Sequence, residues 1–293
     1  METGLLIKTI LIRIVLYGTI LFLVFAWIFS GALLHAYRPK DSGNPAVFNI
    51  QFEKITFVTK DNIIVYGWWV SQKNNGKCVI LCHGLGADKG DMLNYIPFLY
   101  KKGYSCLAFD FRGHGESKEK YTSLGFNEVK DLLAAVDFVK TKGVKHIGVI
   151  GRSMGAAASI RTAEVCPDIQ AVVADSSFAR LSDMIRSYSS KFYHLPYYPM
   201  VPFAAFLAKI RSGFKYETVN PVESAAKMKT PLLLFHGTAD GNIPPANSEK
   251  ILAAALGPKK LILVKDADHI ESLSKDQLNY SKEVLKFFGE YLK

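Results

Sequence analysis

The strongest constraint on the fold of this chain is a series of short apolar runs that alternate with stretches of helical periodicity. Each run is four or five residues long and contains no charged side chain. Fully apolar strands that alternate with helices indicate a parallel sheet covered by helices on both faces. The runs lie at residues 78–82, 105–109, 146–150, 171–174, 232–235 and 261–264.

Segments between and after these runs place apolar residues at helical spacing and predict the helices that cover the sheet. They lie at residues 92–101, 127–142, 154–166 and 276–292. Before the first run, residues 52–59 and 63–70 flank a short polar turn, a pattern typical of an antiparallel hairpin. The sequence therefore predicts an α/β fold with a mostly parallel, doubly wound sheet.

An uncharged apolar run at residues 14–34 precedes this domain. At about 1.5 Å per residue, a helix of that length crosses the roughly 30 Å hydrocarbon core of a bilayer. The alternatives fit less well, because a cleaved signal peptide has a shorter apolar centre and a core helix needs an interior that surrounds it. We predict a single-pass membrane anchor at residues 1–40, joined by a polar linker to one globular domain at residues 41–293.

The orientation of the anchor is nearly balanced in the sequence. Lys8 and Arg13 precede the apolar run, while Arg38 and Lys40 follow it, so the positive charges favour neither side. The cysteines lie in or beside apolar runs and match no zinc-binding pattern, which indicates reduced core thiols and favours a cytoplasmic domain. They are Cys78, Cys82, Cys106 and Cys166.

One connection of the predicted sheet, between residues 174 and 232, is too long for a plain crossover. Its central part, about residues 178–229, contains an aromatic and proline-rich stretch at residues 192–203. We predict that this insert forms a cap over the carboxyl edge of the sheet, where open α/β sheets bind ligands. The alternative is a structural excursion that lines no site.

The insert also carries much of the positive charge of the chain. The net charge is +10, and residues 178–229 contain eight Lys or Arg against three Asp or Glu. No nucleic-acid recognition motif accompanies this charge, so we predict a membrane surface as the partner and no nucleic acid. Each basic residue is equally explained as solvated surface. The candidates for lipid contact are Arg180, Arg186, Lys191, Lys209, Arg211 and Lys215.

Ser153 is the candidate nucleophile, because it lies between a predicted strand and a predicted helix in the sequence Gly-Arg-Ser-Met-Gly. A serine on such a sharp turn exposes its hydroxyl, and side chains in place of the glycines would collide with neighbouring backbone. The following helix presents free N–H groups where negative charge develops. A plain helix N-cap is the alternative role for this serine.

Four motifs and a terminal histidine carry a resemblance to a known family. The sequence from about residue 52 onward resembles the α/β-hydrolase superfamily, in particular its esterase, lipase and serine-aminopeptidase-like branch. The resemblance implies the fold of that superfamily, with each motif after a strand. The motifs are HGLG at 83–86, DFRGHGES at 110–117, GRSMG at 151–155 and HGTADGNIP at 236–244, followed by DADH ending at His269.

A nucleophilic serine needs a base, and the base needs an orienting acid. His269 follows the last predicted strand, where the family carries its base, and Asp240 lies in a loop that resembles the acid-bearing turn. Asp175, at the end of the preceding strand, is the alternative acid. Two backbone amides should stabilise the oxyanion, and the resemblance implies those of Leu85 and Met154.

Other polar residues near these motifs are predicted to be structural. Arg112, in the DFRGHGES motif, is expected to pair with acidic neighbours. The motif is not predicted to bind a metal, because it lacks a third ligand at suitable spacing. No phosphate-binding or dinucleotide loop occurs, so no cofactor is predicted. The histidines expected to form structural hydrogen bonds in glycine-rich turns are His83, His114 and His236.

These features predict a serine hydrolase that cleaves carboxylic esters or thioesters, acyl lipids among them, through an acyl-enzyme. A peptidase or amidase uses the same triad, and the sequence does not separate the two. A catalytically silent domain that binds a partner through the insert is the remaining alternative. The intact triad argues against it, because a binding module has no need of a strained serine turn.

Overall fold

The computed structural model describes residues 2–37, 43–72, 76–117, 119–193 and 197–293. Its strands are β1 (Glu53–Val58), β2 (Ile64–Val70), β3 (Lys77–Cys82), β4 (Ser105–Phe109), β5 (His146–Arg152), β6 (Ile169–Asp175), β7 (Leu232–Gly237) and β8 (Lys259–Val264). They form one sheet in the order β1-β2-β4-β3-β5-β6-β7-β8. The first two pairings, β1 with β2 and β2 with β4, are antiparallel, and the other pairings are parallel.

Helices and short 3-10 segments connect these strands. The α-helices are α1 (Glu2–Ala32), α2 (Ile96–Lys101), α3 (Glu128–Thr141), α4 (Met154–Val165), α5 (Leu181–Tyr193), α6 (Met200–Ser212), α7 (Pro221–Ala225), α8 (Ala246–Ala254), α9 (Ser272–Lys275) and α10 (Gln277–Tyr291). The predicted hairpin and all six predicted parallel strands are confirmed, with ends that differ by a few residues.

The sheet is buried on both faces, as its uninterrupted apolar strands predict. Ile80 and Val149 belong to one core cluster, together with residues of α3 and α4. Their neighbours Leu81 and Ile150 point to the other face and belong to a second cluster with residues of α2 and α10. Because successive side chains of a strand point to opposite faces, central strands need an apolar residue at every position. The doubly wound α/β architecture is confirmed.

The predicted helix at residues 92–101 differs from the structure, and several other helices were not predicted. The segment 92–101 is a 3-10 turn (Lys89–Tyr95) followed by α2, and a proline lies in the first turn of α2. A proline without an N–H is tolerated at the start of a helix but not within one, so the helix begins late. Helix α8 was missed, since its nine residues bury few side chains, Ile251 among them.

The long insert is helical and lies against the carboxyl edge of the sheet. It contains α5, α6, a 3-10 turn (Tyr216–Thr218) and α7. Lys191, near the end of α5, donates a hydrogen bond to the carbonyl of Gly241 in the loop after β7. Part of the predicted aromatic stretch, residues 194–196, lies outside the described residues.

Helix α1 is the one helix of the described residues that is long and apolar enough to cross a membrane, over Thr3–Ala32. It begins earlier than the predicted segment 14–34 and ends before it. The last two residues of the apolar run, Leu33 and Leu34, leave the helix, and Leu34 is buried in a cluster with Phe178, Ala208 and other residues of the insert. The end of the apolar run therefore belongs to the domain core. Most of the predicted linker, residues 38–45, lies outside the described residues.

We expect Leu34→Ala to destabilise the domain, because it leaves a cavity where the chain leaving α1 packs on the insert. Truncation of a buried leucine costs about 2–5 kcal/mol of the free energy of unfolding. The matched control is Leu21→Ala, because Leu21 is 58% exposed on α1. Thermal unfolding of both variants in detergent measures the difference. Equal melting temperatures for the two variants would show that Leu34 does not stabilise the domain.

Candidate active site

Ser153 lies on a strained turn between β5 and α4. Its backbone has a φ of 51° and a ψ of −114°, an unfavourable region for a residue with a side chain. The two glycines of the motif make this turn possible. A Cβ on Gly151 would lie 2.4 Å from the carbonyl oxygen of Gly155, and a Cβ on Gly155 would lie 2.3 Å from that of Cys82. The expected need for small residues on both sides of the serine is confirmed.

A continuous hydrogen-bonded chain joins the three candidate catalytic side chains. The Oγ of Ser153 lies 3.0 Å from Nε2 of His269, and Nδ1 of His269 lies 2.8 Å from Oδ2 of Asp240. An ionised carboxylate only accepts hydrogen bonds, so Nδ1 carries the proton and Nε2 is free to accept the proton of the serine hydroxyl. The structure thus brings His269 together with Ser153, 116 positions earlier in the chain, and with Asp240, 29 positions earlier.

Asp240 is held as an anion by its surroundings. Burial alone would raise the pKa of its carboxyl, but hydrogen bonds from His236, His269 and the amide of Ile243 hold that pKa well below its usual range. Oδ1 accepts bonds from the amides of Asn242 and Ile243, at 2.9 and 2.8 Å. The tight turn after β7 therefore fixes the position of the carboxylate that faces His269.

The alternative acid, Asp175, lies elsewhere in the site. Its Oδ1 accepts hydrogen bonds from the hydroxyls of Ser272 and Ser176, at 2.8 and 3.2 Å. It is fully buried, and burial raises the pKa of its carboxyl. The ring nitrogens of His269 bond to Asp240 and Ser153 instead.

A residue that sequence analysis left without a role holds the loop that carries His269. Nη2 of Arg152 donates to the carbonyl oxygen of Ile270 at 2.5 Å, and the Ile270 amide donates to Ser176 Oγ at 3.3 Å. Arg152 also pairs with Asp91 at 2.8 Å. Its place inside the GRSMG motif was the available signal, since that position points from the end of β5 toward neighbouring loops.

The two residues expected to supply oxyanion amides lie on either side of Ser153. Met154 is the first residue of α4, and the first amides of a helix have no acceptor within it. Leu85 follows Gly84, and a Cβ on Gly84 would lie 3.4 Å from the Cβ of Ser153. The Leu85 side chain is 46% exposed and is not part of the core.

The other histidines and charged motifs have structural contacts. His83 accepts a hydrogen bond at Nε2 from the amide of Phe111, at 3.0 Å. Arg112 pairs with Asp131 at 2.6 Å and with Asp61 at 2.9 Å, which confirms its predicted role. Among the residues the structure describes, no group of three or more His, Cys, Asp or Glu is placed to hold a metal ion.

The sheet order, the strained serine between β5 and α4 and the histidine after the last strand are those of α/β-hydrolases, and the chain is a serine hydrolase of this fold. A sequence model of the prolyl oligopeptidase family matches residues 92–293, more than half of the chain. The chain belongs to that family of α/β-hydrolases.

The chain is also similar to individual proteins. The chain is 31% identical to the uncharacterized protein YqkD of Bacillus subtilis, over 85% of this chain and 84% of that protein. It is 24% identical to the uncharacterized membrane protein YNL320W of Saccharomyces cerevisiae, over 80% of this chain and 76% of that protein. The esterase Pf2001 of Pyrococcus furiosus superposes with a TM-score of 0.74 at 28% identity, over 89% of this chain and 99% of that one.

Acid should destabilise the fold through two buried histidines beside the site. Burial lowers the pKa of both His83 and His114 to about 4, from an ordinary value of 6.5. The unfolded chain then binds more protons between these values, so stability falls as the pH drops from 6.5 toward 4. At about 1.4 kcal/mol per pKa unit, each histidine contributes up to a few kcal/mol.

Chemical unfolding of the parent, His83→Asn and His114→Asn at pH 4.5 and pH 7 measures this contribution. We expect each variant to lose less stability than the parent between the two pH values, even if it is less stable at pH 7. A pH dependence that is the same in all three proteins would contradict the assignment.

Proposed function

We propose that the chain is a membrane-anchored serine esterase that hydrolyses carboxylic esters and thioesters through an acyl-enzyme intermediate. The observation that carries the proposal is the hydrogen-bonded chain from Ser153 through His269 to Asp240. It has the geometry of an activated nucleophile, in which each side chain prepares the next for proton transfer.

In this mechanism the Oγ of Ser153 attacks the carbonyl carbon of the ester, and Nε2 of His269 takes the hydroxyl proton. Asp240 stabilises the imidazolium that results and keeps the ring in place. The amides of Leu85 and Met154 bind the oxyanion. The intermediate then expels the alcohol or thiol, which receives the proton from His269, and a water molecule releases the acid by the same steps.

Ester substrates are favoured over peptides by the structural comparison. The superposing Pyrococcus protein is an esterase at 28% identity, which supports an ester substrate for this chain. The description of the family supports a peptidase as the second candidate. Parallel assays with p-nitrophenyl esters of two to sixteen carbons and with peptidyl-prolyl amides separate the two.

Helix α1 supports attachment to a membrane. Most of its apolar side chains are exposed, and water does not favour such a surface. The yeast relative is described as a membrane protein, which agrees with this attachment. We place the domain on the cytoplasmic side, because its four cysteines are buried and unpaired. Acyl lipids are the substrates that such an enzyme meets at the bilayer, and nucleic acid is not a proposed partner.

The first test of the proposal is Ser153→Ala, with a fluorophosphonate probe that labels activated serines. We expect the variant to lose both labelling and ester hydrolysis while its melting temperature stays close to that of the parent, because few contacts are removed. Labelling of the parent excludes the catalytically silent alternative. Hydrolysis by the variant within tenfold of the parent would exclude Ser153 as the nucleophile.

The second test compares the two buried carboxylates. Asp240→Asn should lower turnover by about three to four orders of magnitude, because the tautomer of His269 is no longer held. Asp175→Asn is the matched control, since Asp175 bonds to serine hydroxyls instead. Steady-state kinetics on one ester substrate measures both. A larger loss in Asp175→Asn would assign the acid to that residue.

A further inference from the structure

Helix α6 of the insert has the composition of a helix in contact with lipid. Its first nine residues, 200–208, contain no charged side chain, and Lys209 and Arg211 lie in its last turn. Phe206 is 53% exposed and Ile210 is 66% exposed. One side of α6 therefore presents large apolar side chains at the domain surface, where contact with water is unfavourable.

The opposite side of α6 packs on the domain core close to the site. Val201 and Ala208 belong to the cluster that also contains Ala157, one turn of α4 beyond Ser153. One side of α6 therefore packs on the core close to the nucleophile, and the other side is apolar and exposed.

Helices α1 and α6 lie side by side and run in the same direction. The rings of Phe22 and Phe203 are 5.4 Å apart, and Nη1 of Arg211 lies 2.5 Å from Oγ of Ser30. Each pair of anchor points is eight residues apart, about 12 Å along either helix. The two helices therefore keep the same depth over this whole length.

The contacts of Arg211 suit a cation at the edge of a bilayer. Its guanidinium lies 4.4 Å from the centre of the Trp27 ring and donates to the Trp27 carbonyl oxygen at 3.2 Å. A cation that leaves bulk water needs such partners, and tryptophan is enriched at membrane interfaces. Arg211 and Trp27 therefore mark the level at which the helix pair reaches the interface.

The depth of Phe22 decides where the start of α6 lies. The level marked by Arg211 and Trp27 is near Ser30, and Phe22 precedes Ser30 by eight residues of α1. Phe22 then lies about 12 Å deeper than that level, well inside the bilayer. Phe203, in contact with Phe22, has to lie at the same depth.

We propose that α6 is a second membrane-embedded element, which enters the bilayer beside α1 with its amino-terminal end and does not cross it. The proposal rests on the membrane attachment proposed above for α1. An open apolar hollow between the two helices is then filled by lipid acyl chains. Its lining residues are Phe22, Tyr198, Pro199, Pro202, Phe203 and Phe206.

Lipid contact through α6 would hold the cap, and the site below it, at the bilayer surface. The bilayer then replaces water on the exposed side of α6, and the core side keeps its contacts with α4. An ester lipid would reach the domain without leaving the membrane.

The test is cysteine labelling in the full-length protein, reconstituted into phosphatidylcholine and phosphatidylglycerol vesicles. The four native cysteines are buried, so a single introduced thiol is the reactive one. Phe206→Cys probes α6, and Leu256→Cys is the control, because Leu256 is 64% exposed in the loop after α8. We expect a membrane-impermeant maleimide to label Phe206→Cys at least tenfold more slowly than Leu256→Cys. Equal rates would overturn the proposal.

A second readout separates the possible failures. Bimane attached at Phe206→Cys should be quenched by lipids brominated on their acyl chains, and bimane at Leu256→Cys should not. Extraction of the protein by alkaline carbonate would overturn the membrane attachment of α1 and the embedding of α6 together. Resistance to carbonate without quenching at position 206 would overturn only the embedding of α6. Ester hydrolysis measured on the same preparations tests the proposed activity separately.

Discussion

The positive φ of Ser153 is the constraint around which the site is arranged. A serine in this conformation is tolerated only where the surrounding backbone holds it, and Gly151 and Gly155 let that backbone approach within contact distance. The same closeness brings the end of β3 and the HGLG loop against the nucleophile. The strained turn, the loop expected to bind the oxyanion and the central strands therefore depend on one another, and a change in one would displace the others.

A second dependence links the apolar N-terminal helix to the folded domain. If α1 were joined to the domain by a free linker, the position of α1 in a bilayer would not affect the domain. Here the chain leaving α1 continues into the core, with Leu34 buried and its carbonyl oxygen accepting a hydrogen bond from the amide of Thr122. A Cβ on Gly86, in the HGLG loop, would lie 3.7 Å from the Cβ of Tyr37. Helix α1 and the candidate site are therefore parts of one packed structure.

The supporting residues of the site were less predictable than its central ones. The candidate roles of Ser153 and His269 were predicted from local signals, a strand-to-helix turn and a position after the last strand. The contact of Arg152 with the Ile270 carbonyl joins residues 118 positions apart, and the GRSMG motif places Arg152 at the end of β5 without indicating that partner. The same holds for Arg211, a predicted lipid-contacting cation, whose bond to Ser30 joins residues 181 positions apart. The partners of a long side chain depend on which distant segments the fold brings within its reach.

The sequence by itself determined the α/β class, the parallel strands, the hairpin, the apolar N-terminal helix and the candidate nucleophile with its base. Each of these rests on periodicity or on a motif of adjacent residues, and such signals depend on short stretches of chain. Only the tertiary structure decided which carboxylate meets His269, because Asp240 and Asp175 follow neighbouring parallel strands and both lie at the same edge of the sheet. It also decided that the end of the apolar run packs on the insert, since burial of Leu34 depends on surfaces that fold far from it in the chain.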